Sequence, residues 1–169
     1  MTTPRRFDKI LMQAPVPGTA VDESLLGRLQ TWCATGAFPR MTAALAVVSI
    51  GPHAGLDAVA CELGGANKLA RLGRWRGCAW RLQILLRDHL PGRGPGAGDP
   101  WDCGWWRDGA LVAAQAFRPR RATLLLLREP GEPMVHALLA MLRQQSKAYT
   151  RPLRVLVVSA RPMHGVPRL

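Results

Sequence analysis

The sequence is short of acids, lysine, asparagine and tyrosine. Its 169 residues include 11 Asp and Glu against 23 Lys and Arg, which gives a formal net charge of +12, and it holds a single Tyr. Arginine supplies nearly all of the positive charge, as codon bias in a GC-rich genome would produce. Codon bias does not forbid matching acids, however, so the charge surplus itself favours a polyanionic partner.

Long apolar runs are also missing. No run reaches 18 residues, so the sequence predicts no transmembrane helix. Residues 1–9 are polar and basic, with no apolar segment behind them, which is unlike a secretory signal. We therefore expect an intracellular protein, cytoplasmic or associated with the nucleoid or nucleus. A hydrophobic share of 48% and a charged share of 20% are typical of a folded globular domain.

The motifs of metal and catalytic sites are absent as well. The four cysteines, Cys33, Cys61, Cys78 and Cys103, form no CxxC pair, and the histidines form no HExxH. The glycines of 92–98 lack the lysine of a phosphate-binding loop, and no serine lies in a GxSxG elbow. We therefore expect reduced cysteines, no bound metal or cofactor, and a protein that is not an enzyme.

The pattern of apolar residues predicts an α/β fold. Strands are predicted at 7–12, 43–50 and 153–159, and a β-hairpin at 110–127. Helices are predicted at 25–34, at 56–72 with an interruption at Gly64-Gly65, and at 134–147. The segment 74–90 fits a helix or a strand, and the Gly/Pro-rich 91–100 fits a loop. These elements predict a single three-layer α/β domain over 1–160, with an irregular tail at 161–169. Its mixed sheet is expected to contain two βαβ-type units and the hairpin.

Tryptophan and arginine alternate in two stretches, 74–81 and 101–107, and three arginines flank a proline at 118–121. Exposed aromatic rings beside guanidinium groups can stack on bases and hold phosphates. The same residue types dominate protein–protein hot spots. The residues predicted to bind nucleic acid or a partner are Arg74, Trp75, Arg76, Trp80, Arg81, Trp105, Trp106, Arg107, Arg118, Arg120 and Arg121.

Two short segments resemble known families. Residues 62–82 resemble helix-turn-helix repressors, in which Gly-Gly precedes a short helix; the resemblance implies a second helix that starts near Arg74. Residues 7–18 resemble the substrate loop of Rossmann-type methyltransferases, which implies a strand, two helices around a buried strand, and a late hairpin. Gln13-Ala14-Pro15-Val16 lacks the stacking aromatic of that loop, so this resemblance implies a catalytically degenerate relative.

The leading hypothesis from the sequence is a basic, non-enzymatic module that binds RNA or DNA within a larger assembly. A protein-interaction or inhibitor module that docks on an acidic partner through tryptophan and arginine is the alternative. A degenerate methyltransferase-like protein is a further alternative.

Overall fold

The computed structural model describes residues 11–17, 20–37, 41–65, 72, 74–89, 99–107, 109 and 111–169. The strands are β1 (Met12–Gln13), β2 (Leu45–Ile50), β3 (Asp102–Trp106), β4 (Thr123–Arg128) and β5 (Leu153–Val158). The helices are α1 (Glu23–Ala34), α2 (Leu56–Leu63), α3 (Arg74–His89), α4 (Leu111–Ala116) and α5 (Glu132–Gln145), and a 3-10 turn at Ser146–Ala148 follows α5.

The five strands form one mixed sheet in the order β1-β3-β4-β5-β2. The strands β3, β4, β5 and β2 are parallel to one another, and the short β1 lies antiparallel at the outer edge of β3. Gly104 permits this edge pairing, since a Cβ at that position would lie 2.8 Å from the Cβ of Met12.

Helices cover both faces of the sheet and make two cores. Leu124 and Leu126 point into the core beneath α1 and α2, while Leu125 and Leu127 point into the core beneath α4 and α5. Because successive side chains of a strand alternate between faces, a central strand covered on both sides needs apolar residues at every position. The uninterrupted apolar runs of the sequence follow from this requirement.

The predicted α/β class, with one mixed sheet between two helical layers, is confirmed. The predicted hairpin is wrong, because Leu111–Ala116 forms α4 and connects two parallel strands. The alanine-rich sequence LVAAQA favours a helix. The two βαβ units are therefore β3-α4-β4 and β4-α5-β5. The expected first unit, which joined the strand at 7–12 to β2, is wrong, because β1 pairs with β3.

Several boundaries agree with the sequence. The helix predicted at 25–34 is α1, and Asp22 caps it by accepting a hydrogen bond from the Leu25 backbone N–H at 2.9 Å. The ambiguous segment 74–90 is helical over Arg74–His89. Residues 7–10 of the first predicted strand, 66–71 of a predicted helix and 90–98 of the predicted loop lie outside the described residues.

The tail 161–169 contains one isolated bridge, between Arg168 and Ser49 of β2. The Ser49 backbone N–H donates to the Pro167 carbonyl at 2.8 Å, and its carbonyl accepts from the Leu169 backbone N–H at 2.9 Å. These bonds fix the tail along the outer edge of β2.

Candidate interaction surfaces

The four tryptophans predicted to bind a partner have different environments. Trp75 on α3 is 88% exposed. Trp80, one turn further on, is half-buried and lies against Gly65, whose positive φ and lack of a side chain leave room for the ring. As expected for adjacent strand residues, Trp105 and Trp106 pack on opposite faces of β3, and both are half-buried. Trp75 is therefore the one of these four rings with a largely open face.

Trp105 belongs to a closed polar cluster at the carboxyl ends of the strands. Its indole N–H donates to Asp57 Oδ1 at 2.6 Å, and the Arg128 guanidinium lies 4.3 Å from its ring centroid. Arg128 Nη2 is also 3.7 Å from Asp57 Oδ2. The sequence pointed to Trp105 but not to Asp57 and Arg128, which are 48 and 23 positions away and carry no motif.

The arginine turn lies at the opposite end of the sheet, where the parallel strands begin. Arg118 and Arg120 are exposed, and Arg121 is half-buried, 4.0 Å from Asp102. Arg118 Nη1 donates to the Phe117 carbonyl at 2.8 Å and to Gln145 Oε1 at 2.6 Å. This bond to Gln145 joins the turn to the end of α5.

Further cations lie at the same edge of the sheet, where α5 ends and β5 begins. Arg143 in the last turn of α5 and Lys147 just after it are exposed, and Arg151 precedes β5. We call the whole group the amino-edge cluster; its members are Arg118, Arg120, Arg121, Arg143, Lys147 and Arg151. The described carboxylates at this end of the sheet are Glu62, Asp99 and Asp102. Sequence reasoning missed the second half of the cluster, because α5 separates it from the arginine turn along the chain.

Tyr149 confirms that these segments are close together. Burial raises the pKa of its hydroxyl, and the positive charge of Arg118 partly opposes that rise. An arginine 31 positions away thus acts on a side chain of the segment between α5 and β5.

A seventh cation at this edge is buried. Arg154 of β5 has no exposed surface and donates to the carbonyls of Thr35 at 2.7 Å, Ala43 at 3.0 Å and Leu153 at 3.2 Å. In the described part of the chain no carboxylate pairs with it. Burial lowers its pKa from the ordinary arginine value. Its contacts tie the end of α1 to the beginnings of β2 and β5.

Helix α3 carries the other predicted arginines. Arg76 is exposed, and Arg74 and Arg81 are helical positions of α3. The same helix also carries exposed apolar residues that no motif in the sequence indicated: Leu82 is 58% exposed and Leu86 is 53% exposed. With Trp75 they make α3 the described helix with the largest exposed apolar side chains.

Arg107 lies at the carboxyl end of β3, away from the amino-edge cluster, and its side chain is exposed. The eleven predicted residues therefore fall into three places: α3, the amino edge, and the carboxyl end of β3. The structure does not gather them into one surface.

His53, at the carboxyl edge, is engaged in structural contacts through both of its ring nitrogens. His53 Nε2 lies 3.2 Å from Asp22 Oδ2, while its Nδ1 accepts from the Gly55 backbone N–H at 3.2 Å. Both ring nitrogens are thus occupied. Among the described residues no group of His, Cys, Asp and Glu has the arrangement of a metal site.

The described cysteines differ in their exposure to solvent. Cys33, Cys61 and Cys103 are buried, whereas Cys78 on α3 is exposed. Burial raises the pKa of Cys33 to about 12, although the nearby Arg154 opposes the rise. The Cys33 thiol is therefore protonated, and unreactive, at neutral pH.

Comparison of the chain with models of known protein families, with curated proteins and with solved structures returned no match. The late hairpin that the methyltransferase resemblance implied is replaced by α4 and β4. A helix does begin at Arg74, where the helix-turn-helix resemblance placed one, but the residues before it lie largely outside the described part of the chain. In that part, none of the helices combines the length and apolar composition that crossing a bilayer requires.

Proposed function

We propose that the protein is a non-enzymatic nucleic-acid-binding module whose amino-edge cluster grips the phosphodiester backbone. The observation that carries this proposal is the bond from Arg118 to Gln145, because it joins cations from two distant segments into one surface. The formal net charge of +12 supports the same conclusion.

Phosphate binding fits the chemistry of this surface. Arg120, Arg143 and Lys147 are exposed, and none of them forms an ion pair within the described residues. Arginine can hold a phosphate through two parallel N–H bonds, and each neutralised phosphate releases condensed counterions. The proposal names the phosphodiester backbone rather than a base sequence, because backbone contacts carry no sequence information.

The test is fluorescence anisotropy with labelled single-stranded RNA, single-stranded DNA and duplex DNA. We choose Arg120→Ala/Lys147→Ala, since both side chains are exposed and make no hydrogen bond or ion pair with the residues that the structure describes. Loss of two phosphate contacts should weaken binding roughly 30- to 100-fold at about 50 mM salt. The preferred polymer then distinguishes RNA from DNA.

Arg107→Ala/Arg161→Ala is the matched control. It removes the same charge from exposed arginines at the carboxyl edge. We expect it to weaken binding less than about fivefold, through the general field alone. Equal losses in the two double variants would overturn the amino-edge site.

Polyglutamate of matched length separates the nucleic-acid proposal from the acidic-protein alternative. The proposal requires the oligonucleotide to bind at least about tenfold more tightly than polyglutamate, because carboxylates condense fewer counterions and offer poorer bidentate geometry. Equal affinity for both polymers would contradict it.

A further inference from the structure

A second surface lies on α3 and uses residues other than the amino-edge cluster. Trp75, Ala79, Leu82 and Leu86 are exposed and recur at helical spacing, so they form one apolar stripe, the α3 stripe. At 1.5 Å per residue the stripe is about 16 Å long.

The opposite side of α3 faces the body of the protein. Gly77 is buried, and the Trp80 ring packs against Gly65 at the end of α2. The burial of Gly77 and the contact of Trp80 with Gly65 fix the rotation of the helix about its own axis. They turn the stripe outward, where no described residue covers it.

Arginine positions lie round the helix on either side of the stripe. With 100° per residue, positions 74 and 81 lie about 110–130° from the centre of the stripe on one side, and positions 76 and 87 lie about 90–110° from it on the other. The side chain of Arg76 is exposed. An outward apolar band on a helix with basic positions on either side of it is typical of helices that lie in a membrane interface.

This charge arrangement discriminates between occupants of the stripe. A second copy of the chain carries the same formal net charge of +12, so like charges oppose its docking on the stripe. A nucleic acid can stack a base on Trp75 and pair with Arg76, but it offers Leu82 and Leu86 no continuous apolar layer. An anionic bilayer offers acyl chains beneath the stripe and phosphate groups along both flanks.

We propose that α3 binds the surface of an anionic membrane, inserting the α3 stripe at the boundary between headgroups and acyl chains. The inference goes beyond the proposed function, because the residues that carry it lie outside the amino-edge cluster. Both surfaces can then be tested separately by substitution.

The experiment is cosedimentation with vesicles of phosphatidylcholine containing about 30% phosphatidylserine, and with vesicles of phosphatidylcholine alone. Leu82→Gln/Leu86→Gln keeps the charge but removes apolar area, and should weaken binding to anionic vesicles at least about tenfold. Arg76→Gln should weaken binding to the anionic vesicles about fivefold and leave binding to neutral vesicles unchanged.

Val16→Gln/Met41→Gln is the matched control, since Val16 is 65% exposed and Met41 38% exposed, both outside α3. It should change the affinity less than about twofold. Trp75 supplies a spectroscopic signal: vesicles should shift the protein's tryptophan emission to the blue, and Trp75→Phe should remove most of that shift.

Absence of binding to either kind of vesicle would overturn the membrane proposal, as would equal losses in the two apolar double variants. A different result would contradict the nucleic-acid proposal: oligonucleotide binding that does not change in Arg120→Ala/Lys147→Ala. Loss of oligonucleotide binding in Leu82→Gln/Leu86→Gln would assign α3 to nucleic acid and overturn the membrane assignment.

Discussion

The two ends of the sheet differ in how their charged residues are arranged. At the carboxyl edge, acids begin the helices, since Asp22 caps α1 and Glu132 starts α5, and Arg128 lies beside Asp57. At the amino edge the amino-edge cluster faces few acids, and Arg154 is buried against carbonyl groups alone.

Chain direction causes part of this difference. Because α1, α2 and α5 run antiparallel to the parallel strands, their N-termini lie at the carboxyl edge and favour acids there, while their C-termini favour cations at the amino edge. Helix dipoles do not require the six cations of the amino-edge cluster, most of which lie in loops. The surplus at one edge is therefore the part of the charge on which the proposed nucleic-acid site depends.

The largest effect on stability should come from removing the buried arginine at the amino edge. Arg154→Ala would leave the carbonyls of Thr35 and Ala43 without their donor and open a cavity, lowering the free energy of unfolding by about 3–5 kcal/mol. Urea denaturation measures it. Arg151→Ala, a half-buried neighbour without such bonds, should lose less than about 1 kcal/mol. Similar losses for both would mean that the carbonyl contacts contribute little.

The exposed side of the same edge should be visible in the salt dependence of binding. For single strands, Arg120→Ala/Lys147→Ala should reduce the slope of log K against log salt by about 1.4, because two phosphate contacts are lost. Titrations between about 50 and 200 mM salt give the slope. An unchanged slope would remove these two side chains from the interface.

A smaller effect on stability is expected at the carboxyl edge, where Arg128 lies beside Asp57. Asp57→Ala removes the acceptor of the Trp105 indole N–H and frees Arg128, so stability should fall by about 1–2 kcal/mol. Intrinsic tryptophan fluorescence follows the unfolding. Asp57→Asn keeps an oxygen for the indole, and it should recover part of the loss. Identical stability of the two variants would show that the indole bond contributes nothing.

The smallest effect concerns the exposed cap of α1. The hydrogen bond from the Leu25 backbone N–H lowers the pKa of Asp22 below its ordinary value. The stabilisation by this carboxylate is therefore complete above the unfolded pKa of about 3.9 and is lost as the pH falls through the lower folded value. Denaturation between about pH 2.5 and pH 6 should show a shallower acid loss in Asp22→Asn, which keeps the cap. The same loss of stability with falling pH in the unsubstituted protein and in Asp22→Asn would contradict this role of the Asp22 carboxylate.

Local patterns were sufficient where one element decides its own form. The apolar runs of β2 and β5 and the spacing of α1, α2 and α5 identified those elements, because each face to be buried repeats with the period of its own backbone. The hairpin failed because an apolar run of six residues fits a strand or a helix. The parallel pairing of β3 with β4 decided between helix and strand, because two parallel strands need a crossover and cannot be joined by a hairpin turn. No local pattern in the segment shows how those two strands pair.

The candidate surfaces were predictable only in part. The exposed ring of Trp75 and the arginine turn came from the sequence, but the burial of Trp105 did not, since its partners lie on α2 and β4. The exposure of Leu82 and Leu86 was not predictable, because helical spacing shows only which residues share a face. It does not show whether that face meets the body or the solvent.

The sequence by itself determined the net charge, the α/β class and the central strands, because these depend on composition and on the repeat of neighbouring residues. Only the tertiary structure decided which cations stand together and which tryptophan stays open. The bond from Arg118 to Gln145 and the contact of Trp80 with Gly65 join segments about 15 to 27 residues apart. Such contacts are set by how helices pack on the sheet, which no local pattern in the chain encodes.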